Sequence, residues 1–317
     1  MPTHPVTAAV RPWCTTHPVT PEDKAGMSGM RTMVEPNKGK MQGTAGRGPF
    51  DAIMMRVAQP EGISYRQKTI GGVPGWWCEP TGALPGATIL HLHGGWFNWG
   101  SAGAFRYLVG HIACSAGAAA FVPDYRLAPE HPFPAANEDA EACYAALAAD
   151  GTRRIVLTGD SAGGNLALVL LSLTAVSANP PMGAAVLSPV TDLAMTAPSW
   201  EARAVADPYF TRSQAEALIA SYLGHGVASH PSASPLFGEL TSLPPIRVHV
   251  GDDEVLLDDA RRYVERAVAA NVDATLDVWE GMPHGFLGGI GRFAAASQAL
   301  AEIGAFLSAR LAPVHSA

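Results

Sequence analysis

From Ser64 onward, short apolar stretches alternate with longer stretches whose apolar residues recur at helical spacing. This alternation predicts strands at residues 65–70, 73–78, 87–93, 119–124, 154–159, 183–188, 246–251 and 274–280. It predicts helices at residues 102–117, 135–149, 162–177, 257–270 and 291–311. After an opening hairpin around Gly71-Gly72, strands and helices take turns. The order implies an α/β fold, with a mainly parallel sheet covered by helices on both faces.

Two regions depart from this alternation. Residues 1–60 are rich in Pro, Gly and Met, with helical patches expected at 21–34 and 49–57. Methionine in such a segment usually supplies adaptable packing, although it can also line an apolar pocket. Residues 195–232 contain Trp200, Tyr209 and Phe210, followed by an amphipathic stretch at 212–222 that predicts a helix.

Composition narrows the class of protein. Hydrophobic residues make up 48% of the 317-residue chain, enough for a sizeable core. A formal net charge of −7 argues against a nucleic-acid partner, which needs clustered Lys and Arg. No apolar stretch approaches the ~18 residues of a membrane span, and residues 1–14 lack the apolar core of a secretory signal. The four cysteines form no CxxC pair, so we expect free thiols and a cytoplasmic location.

The motif Gly159-Asp160-Ser161-Ala162-Gly163 follows a predicted strand and precedes a predicted helix. In this context a G-x-S-x-G sequence forms a tight turn that exposes a nucleophilic serine. The alternative is a serine that only caps the helix. The preceding strand and the small flanking residues favour Ser161 as a nucleophile.

The strand at 87–93 ends in His93-Gly94-Gly95-Trp96. Glycines here let backbone N–H groups approach the oxygen that gains negative charge during acyl transfer. We therefore expect the N–H groups of Gly94, Gly95 and Ala162 to form an oxyanion hole. His91 and His93 share one face of the strand, but no third ligand at metal-binding spacing accompanies them. We predict no metal and no cofactor.

A base and an acid are needed to activate Ser161. His284 lies on a loop between a predicted strand and the last predicted helix, and it follows the acidic cluster in the order Ser–acid–His. The acid lies in the cluster that begins at Gly251, where the choice is between Glu254 and Asp253. A carboxylate of either length can orient the imidazole.

Together these motifs resemble the bacterial hormone-sensitive-lipase-like esterases, a group of α/β hydrolases. The resemblance covers about residues 64–311 and rests on four motifs: His93-Gly94-Gly95, Asp124-Tyr125-Arg126-Leu127-Ala128-Pro129-Glu130, Gly159-Asp160-Ser161-Ala162-Gly163-Gly164-Asn165 and His284-Gly285-Phe286. It implies an eight-stranded sheet in a catalytic domain at 61–317. It also implies a helical cap from residues 1–60 and an insertion at about 195–232, and hydrolysis of short- to medium-chain acyl esters without a cofactor.

Two departures from the family pattern matter. Trp96 replaces the third oxyanion-loop glycine and should narrow or reshape the acyl pocket. The family's acid precedes a pattern that this chain carries as Val255-Leu256-Leu257-Asp258, and matching it without a gap favours Glu254 over Asp253. Trp96 and four other aromatic residues are expected to form the substrate pocket, with ordinary core packing as the alternative for each: Phe97, Tyr209, Phe210 and Tyr222.

Other functions use the same fold. A lactonase or amidase could employ the same residues, and a non-catalytic ligand receptor could keep the fold without the chemistry. Because plant receptors that resemble this family lack the catalytic histidine, His284 argues against a receptor. The resemblance also suggests a homodimer formed through the last strand of the sheet, expected at 274–280.

Overall fold

A computed structural model describes residues 12–313. Its centre is a nine-stranded sheet in the order β1-β9-β8-β7-β6-β4-β5-β3-β2. The strands are β1 Cys14–His17, β2 Ile63–Ile70, β3 Val73–Pro80, β4 Ala87–Leu92, β5 Ala119–Pro123, β6 Arg154–Asp160, β7 Ala184–Leu187, β8 Ile246–Gly251 and β9 Ala274–Trp279. The α/β fold class is confirmed and all eight predicted strands are present, but the expected eight-stranded sheet is one strand short, because β1 adds a ninth.

Nine α-helices occur within residues 12–313. They are α1 Pro21–Val34, α2 Arg47–Met54, α3 Ala102–Ala116, α4 Ala135–Ala149, α5 Ala162–Thr174, α6 Ser199–Ala202, α7 Arg212–Leu223, α8 Leu257–Ala269 and α9 Ala294–Leu311. None of the helices in this part of the chain is long and apolar enough to cross a membrane.

The central strands are buried on both faces, and their side chains divide between two cores. Leu90 and Leu157 face the core beneath α4, α5 and α8, whereas Ile89 and Val156 face the core beneath α3 and α9. This division follows from the period-two alternation of side chains along a strand. It explains why these strands are continuous apolar runs rather than alternating ones.

The parallel strands bring their carboxyl ends to one edge of the sheet. Leu92 of β4 pairs with Gly159 of β6, and Asp160 pairs with Leu187 of β7. The turns that follow these strands therefore lie side by side. Ligands of open parallel sheets bind outside this edge, so it is where a site is expected.

Residues 12–60 and 195–232 contact each other above this edge. Gly39 N–H donates to Tyr209 O at 3.0 Å, and Gln214 Nε2 donates to Met41 O at 2.7 Å. Arg31 of α1 donates to Ala206 O at 2.5 Å. The helices α1, α2, α6 and α7 belong to these two segments, which the sequence analysis assigned to a cap.

The N-terminal strand changes one prediction. β1 pairs in parallel with β9, from Cys14 opposite Leu276 to His17 opposite Trp279. The expected homodimer contact through residues 274–280 is therefore not supported, because β1 occupies the hydrogen-bonding groups that a second copy would need. Part of residues 12–60 thus belongs to the sheet and not to a cap. The homodimer itself stays a prediction, without this strand as its contact.

Adding a methyl group at Gly163 should destabilise the protein, whereas adding one at Gly29 should not. A Cβ at this position would overlap the Leu92 carbonyl oxygen, which belongs to a rigid strand end. Gly163→Ala should therefore lower the free energy of unfolding by about 3 kcal/mol or more, as expected for overpacking against backbone. The matched variant Gly29→Ala meets nothing within 4 Å and should stabilise α1 slightly. Denaturant unfolding of both variants measures this, and equal stabilities would contradict the packing described.

Candidate active site

Ser161 lies in the turn between β6 and α5, with backbone angles φ 56° and ψ −119°. Its N–H donates to Leu187 O at 2.8 Å, and its carbonyl accepts from Val190 N at 3.1 Å. Its side chain makes no capping hydrogen bond to α5, so the helix-cap interpretation is not supported. The positive φ holds the side chain at the top of the turn, as a nucleophile requires.

His284 and Glu254 form a direct pair. His284 Nδ1 lies 2.7 Å from Glu254 Oε2. The other carboxylate oxygen, Oε1, accepts from Gly251 N and from Ser188 Oγ, each at 2.7 Å. Glu254 is fully buried, while 12% of the His284 side chain is exposed. The carboxylate is thus satisfied on both oxygens and fixes the imidazole with its Nε2 turned away from Glu254.

Asp253, the alternative acid, points elsewhere. Arg31 Nη2 donates to Asp253 Oδ2 at 2.5 Å. Burial raises the pKa of Asp253, and the Arg31 charge counteracts this. Asp253 therefore joins α1 to the acidic loop and does not contact His284.

The protonation of His284 depends on Glu254. Burial of the ring disfavours the charged imidazole, but the Glu254 carboxylate, through its charge and its hydrogen bond, outweighs burial and raises the pKa of His284 above its ordinary 6.5. Asp207 and Asp160 add smaller contributions in the same direction. A base with a raised pKa accepts a proton more readily near neutral pH.

Ser161 and His284 are not hydrogen-bonded to each other in this structure. Both are anchored to the end of β7. The Ser161 N–H donates to Leu187 O, and Ser188, the residue after Leu187, donates its hydroxyl to Glu254, which holds His284. Hydrogen bonds between nucleophile and base are often long in an unliganded site and tighten with substrate.

One of the three predicted oxyanion donors, Gly94, is not free in the structure. Gly94 N–H donates to Asp160 Oδ1 at 3.0 Å, so it is occupied within the protein. A Cβ at Gly94 would overlap the Asp160 carboxylate, which explains the glycine. Among the described residues, the N–H groups of Gly95 and the following Trp96 have no acceptor. Ala162 is the first residue of α5, so its N–H lacks an intrahelical acceptor.

His93 supports this loop from below. Its Nδ1 lies 2.8 Å from Gly94 O, and its own carbonyl accepts from Tyr125 Oη at 2.6 Å. The His93 ring stacks on Tyr125 with centroids 4.2 Å apart. Complete burial lowers the pKa of His93 to about 4. His93 is therefore neutral and structural.

The donor sets do not favour a metal. His91 Nδ1 lies 2.9 Å from Thr158 Oγ1, away from a shared site with His93. Within residues 12–313, one group has ligand-like spacing, formed by His17, Asp277 and Glu302. Arg247 pairs with both carboxylates of that group, and its positive charge disfavours a cation there.

Three of the predicted pocket aromatics lie close to His284 or its neighbours. Phe210 meets the His284 ring edge-on with centroids 5.0 Å apart, and Trp96 meets Phe210 edge-on at 5.3 Å. Phe210 and Tyr209 are half-buried, and Tyr209 Oη contacts Met30 Sδ at 3.3 Å. These residues form the cap side of the site.

Phe97 and Tyr222 do not line the site. Their rings stack on each other with centroids 3.7 Å apart, and both side chains are fully buried in the core. Tyr222 Oη donates to Asn137 Oδ1 at 2.9 Å. The core-packing alternative therefore holds for this pair, because the rings pack on each other and on Phe133 rather than on Phe210 or His284.

Asp207 is a buried residue that no motif in the sequence marks as functional. Its Oδ1 accepts from the N–H groups of Tyr209 and Phe210 at 2.7 and 2.9 Å, and its Oδ2 accepts from Val255 N at 3.0 Å. It thereby fixes both Phe210 and the residue after Glu254. The Asp207-Pro208 pair is the sequence feature that could have indicated this role, since an Asp side chain commonly accepts a hydrogen bond from the backbone N–H two residues further on.

Comparisons with known proteins agree with this geometry. A family model described as alpha/beta hydrolase fold matches residues 89–288. An esterase from Acinetobacter venetianus is 34% identical and the match covers 87% of this chain and 92% of that protein. An acetyl-hydrolase from Streptomyces hygroscopicus is 38% identical over 68% of this chain and 73% of its own length. The crystal structure of an esterase from the bacterial hormone-sensitive lipase family superposes with a TM-score of 0.86 at 36% identity, covering 92% of this chain and 99% of that one.

The chain belongs to the α/β-hydrolase family, and within it to the bacterial hormone-sensitive-lipase-like group. It is a serine ester hydrolase.

Asp160 should control the oxyanion loop. Asp160→Ala removes the acceptor for Gly94 N–H, so the loop donors lose their fixed position and kcat/KM for p-nitrophenyl acetate should fall by about tenfold or more. Asp160→Asn keeps a carbonyl oxygen and should recover much of that loss. Asp273→Ala, just before β9 at the edge of the sheet opposite the site, serves as the control. If Asp160→Ala matched this control in kcat/KM, the loop would not depend on Asp160.

Proposed function

We propose that this enzyme is a carboxylesterase for small, short- to medium-chain acyl esters, acting through Ser161, His284 and Glu254. The observation that carries the proposal is the 2.7 Å bond between His284 Nδ1 and a Glu254 carboxylate held by two further donors. Nucleophilic catalysis needs an imidazole fixed in this way and a serine exposed in a tight turn at positive φ, both at one edge of the sheet.

In the first half of the reaction, His284 Nε2 takes the Ser161 hydroxyl proton as Oγ attacks the ester carbonyl. The negative charge that develops on the carbonyl oxygen is held by the N–H groups of Gly95, Trp96 and Ala162. His284 is then protonated, and the Glu254 carboxylate stabilises the imidazolium. The proton passes to the alcohol oxygen, the C–O bond breaks, and an acyl-Ser161 ester remains.

In the second half, water attacks the acyl-Ser161 carbonyl and gives its proton to His284. The same three N–H groups hold the second oxyanion. Collapse of this intermediate returns the proton to Ser161 Oγ and releases the acid. Each proton that His284 accepts is handed on in the following step, so the enzyme ends as it began.

The wall of the site supports a small, uncharged substrate. Phe210 places aromatic surface beside His284, and Trp96 and Tyr209 pack against Phe210. Uncharged ester substrates suit such apolar walls. One similar protein carries the name acetyl-hydrolase, which agrees with a short acyl group. The receptor alternative is disfavoured because a receptor has no need of the buried His284–Glu254 pair.

Ser161→Ala should abolish turnover of p-nitrophenyl acetate, with a fall in kcat of at least about 10³-fold, because no other group can form the acyl-enzyme. The matched control is Ser177→Ala, an exposed serine shortly beyond the end of α5. Labelling with a fluorophosphonate probe, lost in Ser161→Ala and kept in Ser177→Ala, checks the nucleophile independently. Turnover retained by Ser161→Ala would refute the proposed mechanism.

The pH profile should distinguish the two candidate acids. Catalysis needs neutral His284, so kcat/KM should rise with pH through a value above 6.5. Glu254→Gln removes the charge that raises the His284 pKa. The rising limb should therefore move to lower pH while kcat falls by about 10²–10⁴-fold.

Asp253→Asn is the control for this experiment, since it removes a neighbouring charge that binds Arg31 and not His284. It should leave the position of the rising limb nearly unchanged. A large loss of kcat in Asp253→Asn, together with near-normal turnover in Glu254→Gln, would reverse the assignment of the acid.

A further inference from the structure

Trp96 occupies a backbone conformation that bulky residues rarely adopt. Its φ is +53°, in the left-handed region where glycine is favoured, and Phe97 follows at +59°. Glycine would adopt these angles without the conformational cost that a side chain adds. A tryptophan in such a conformation indicates that its side chain contributes something that glycine does not.

The Trp96 ring lies in the wall of the site. It is 1% exposed, with Phe210 edge-on at 5.3 Å and Trp200 at 6.2 Å between ring centroids. Phe210 in turn touches His284 at 5.0 Å. The indole therefore fills the space between the oxyanion loop and residues 195–232, one aromatic ring away from the proposed base.

The ring acts by its volume. The indole Nε1 of Trp96 is buried and has no hydrogen-bond partner among the described residues. No polar network thus depends on this side chain. Its aromatic contacts, and the space that they deny to other groups, are what the ring adds.

The position of the ring relative to His284 indicates which part of an ester it limits. The alcohol oxygen must face the imidazole, because His284 gives it a proton. The acyl chain leaves the carbonyl carbon on the other side. Trp96 carries one of the free oxyanion N–H groups, and its ring is separated from the imidazole by Phe210. A ring on the far side of Phe210 from the imidazole would meet the acyl chain rather than the alcohol.

We propose that Trp96 is the specificity-determining residue that closes the acyl pocket and restricts the enzyme to short acyl groups such as acetyl and propionyl. This inference rests on the proposed esterase function and adds the physical basis of its acyl preference. A longer chain would have to displace a ring packed against Trp200 and Phe210. Such a displacement costs close-packed contacts that the additional methylenes cannot recover.

The test is the acyl-chain profile of the full-length enzyme. The ratio of kcat/KM for p-nitrophenyl octanoate to that for p-nitrophenyl acetate should be low in the wild type and should rise at least about tenfold in Trp96→Gly. Glycine accepts the positive φ, so the substitution tests volume without adding strain. Trp96→Phe keeps a ring and should keep the short-chain profile. Trp13→Gly, a matched substitution before β1, should leave the ratio unchanged.

The possible results distinguish a failure of the role proposed for Trp96 from a failure of the esterase function. A wild type that hydrolyses octanoate as well as acetate, or an unchanged ratio in Trp96→Gly, would overturn the role of Trp96 while leaving the esterase intact. A gain confined to acetate esters of longer alcohols would also overturn it, since the ring would then limit the alcohol. Absence of turnover with every ester would instead refute the esterase. If Trp96→Gly does not fold, Trp96→Leu decides, with an intermediate ratio in support and an unchanged ratio against.

Discussion

A buried carboxylate must be matched by donors on both oxygens, and Glu254 shows what this requirement imposes on a fold. Its three hydrogen bonds come from Gly251 at the end of β8, Ser188 at the end of β7 and His284 after β9. An unpaired charge in this position would be strongly destabilising, so the three strand ends are constrained together. The constraint that satisfies Glu254 is also the one that orients His284. Stability and the proposed chemistry therefore depend on the same hydrogen bonds.

Backbone crowding gives the rest of the site its shape. Gly163 leaves room for the carbonyl of Leu92, and Gly94 leaves room for the carboxylate of Asp160. These close approaches hold the serine turn and the oxyanion loop together as one rigid unit, and the four cysteines, all free, add no disulfide to it. Preorganised donors cost no reorganisation when charge develops, which is why such rigidity suits acyl transfer.

The strong patterns in the sequence predicted most of this arrangement. The sequence predicts helix α1 at the residues where it occurs, because Pro21 and the acidic first turn mark its start. It does not predict β1, because the four residues Cys14–His17 show no apolar alternation and become a strand only by pairing with β9. Local sequence does not encode such long-range pairing.

The donors and the pocket were harder to predict. The glycines of the oxyanion loop were recognised, but the Asp160 side chain decides which N–H remains free, and its position is set only in the folded chain. Likewise Phe97 and Phe210 look alike as aromatic residues. One is stacked in the core and the other stands beside His284, a difference that depends on the packing of α7 and the buried Asp207.

The pairing of β1 with β9 has a consequence for how the chain reaches its native state. His17 binds Asp277 at 2.8 Å across 260 residues and stacks on Trp279 with centroids 3.9 Å apart. The strand β1 can therefore find its partner only after residues 274–279 have been synthesised. Loop closure over such a span is entropically unfavourable until the intervening sheet has formed. During translation β1 stays unpaired until then, and its docking follows the formation of the rest of the sheet.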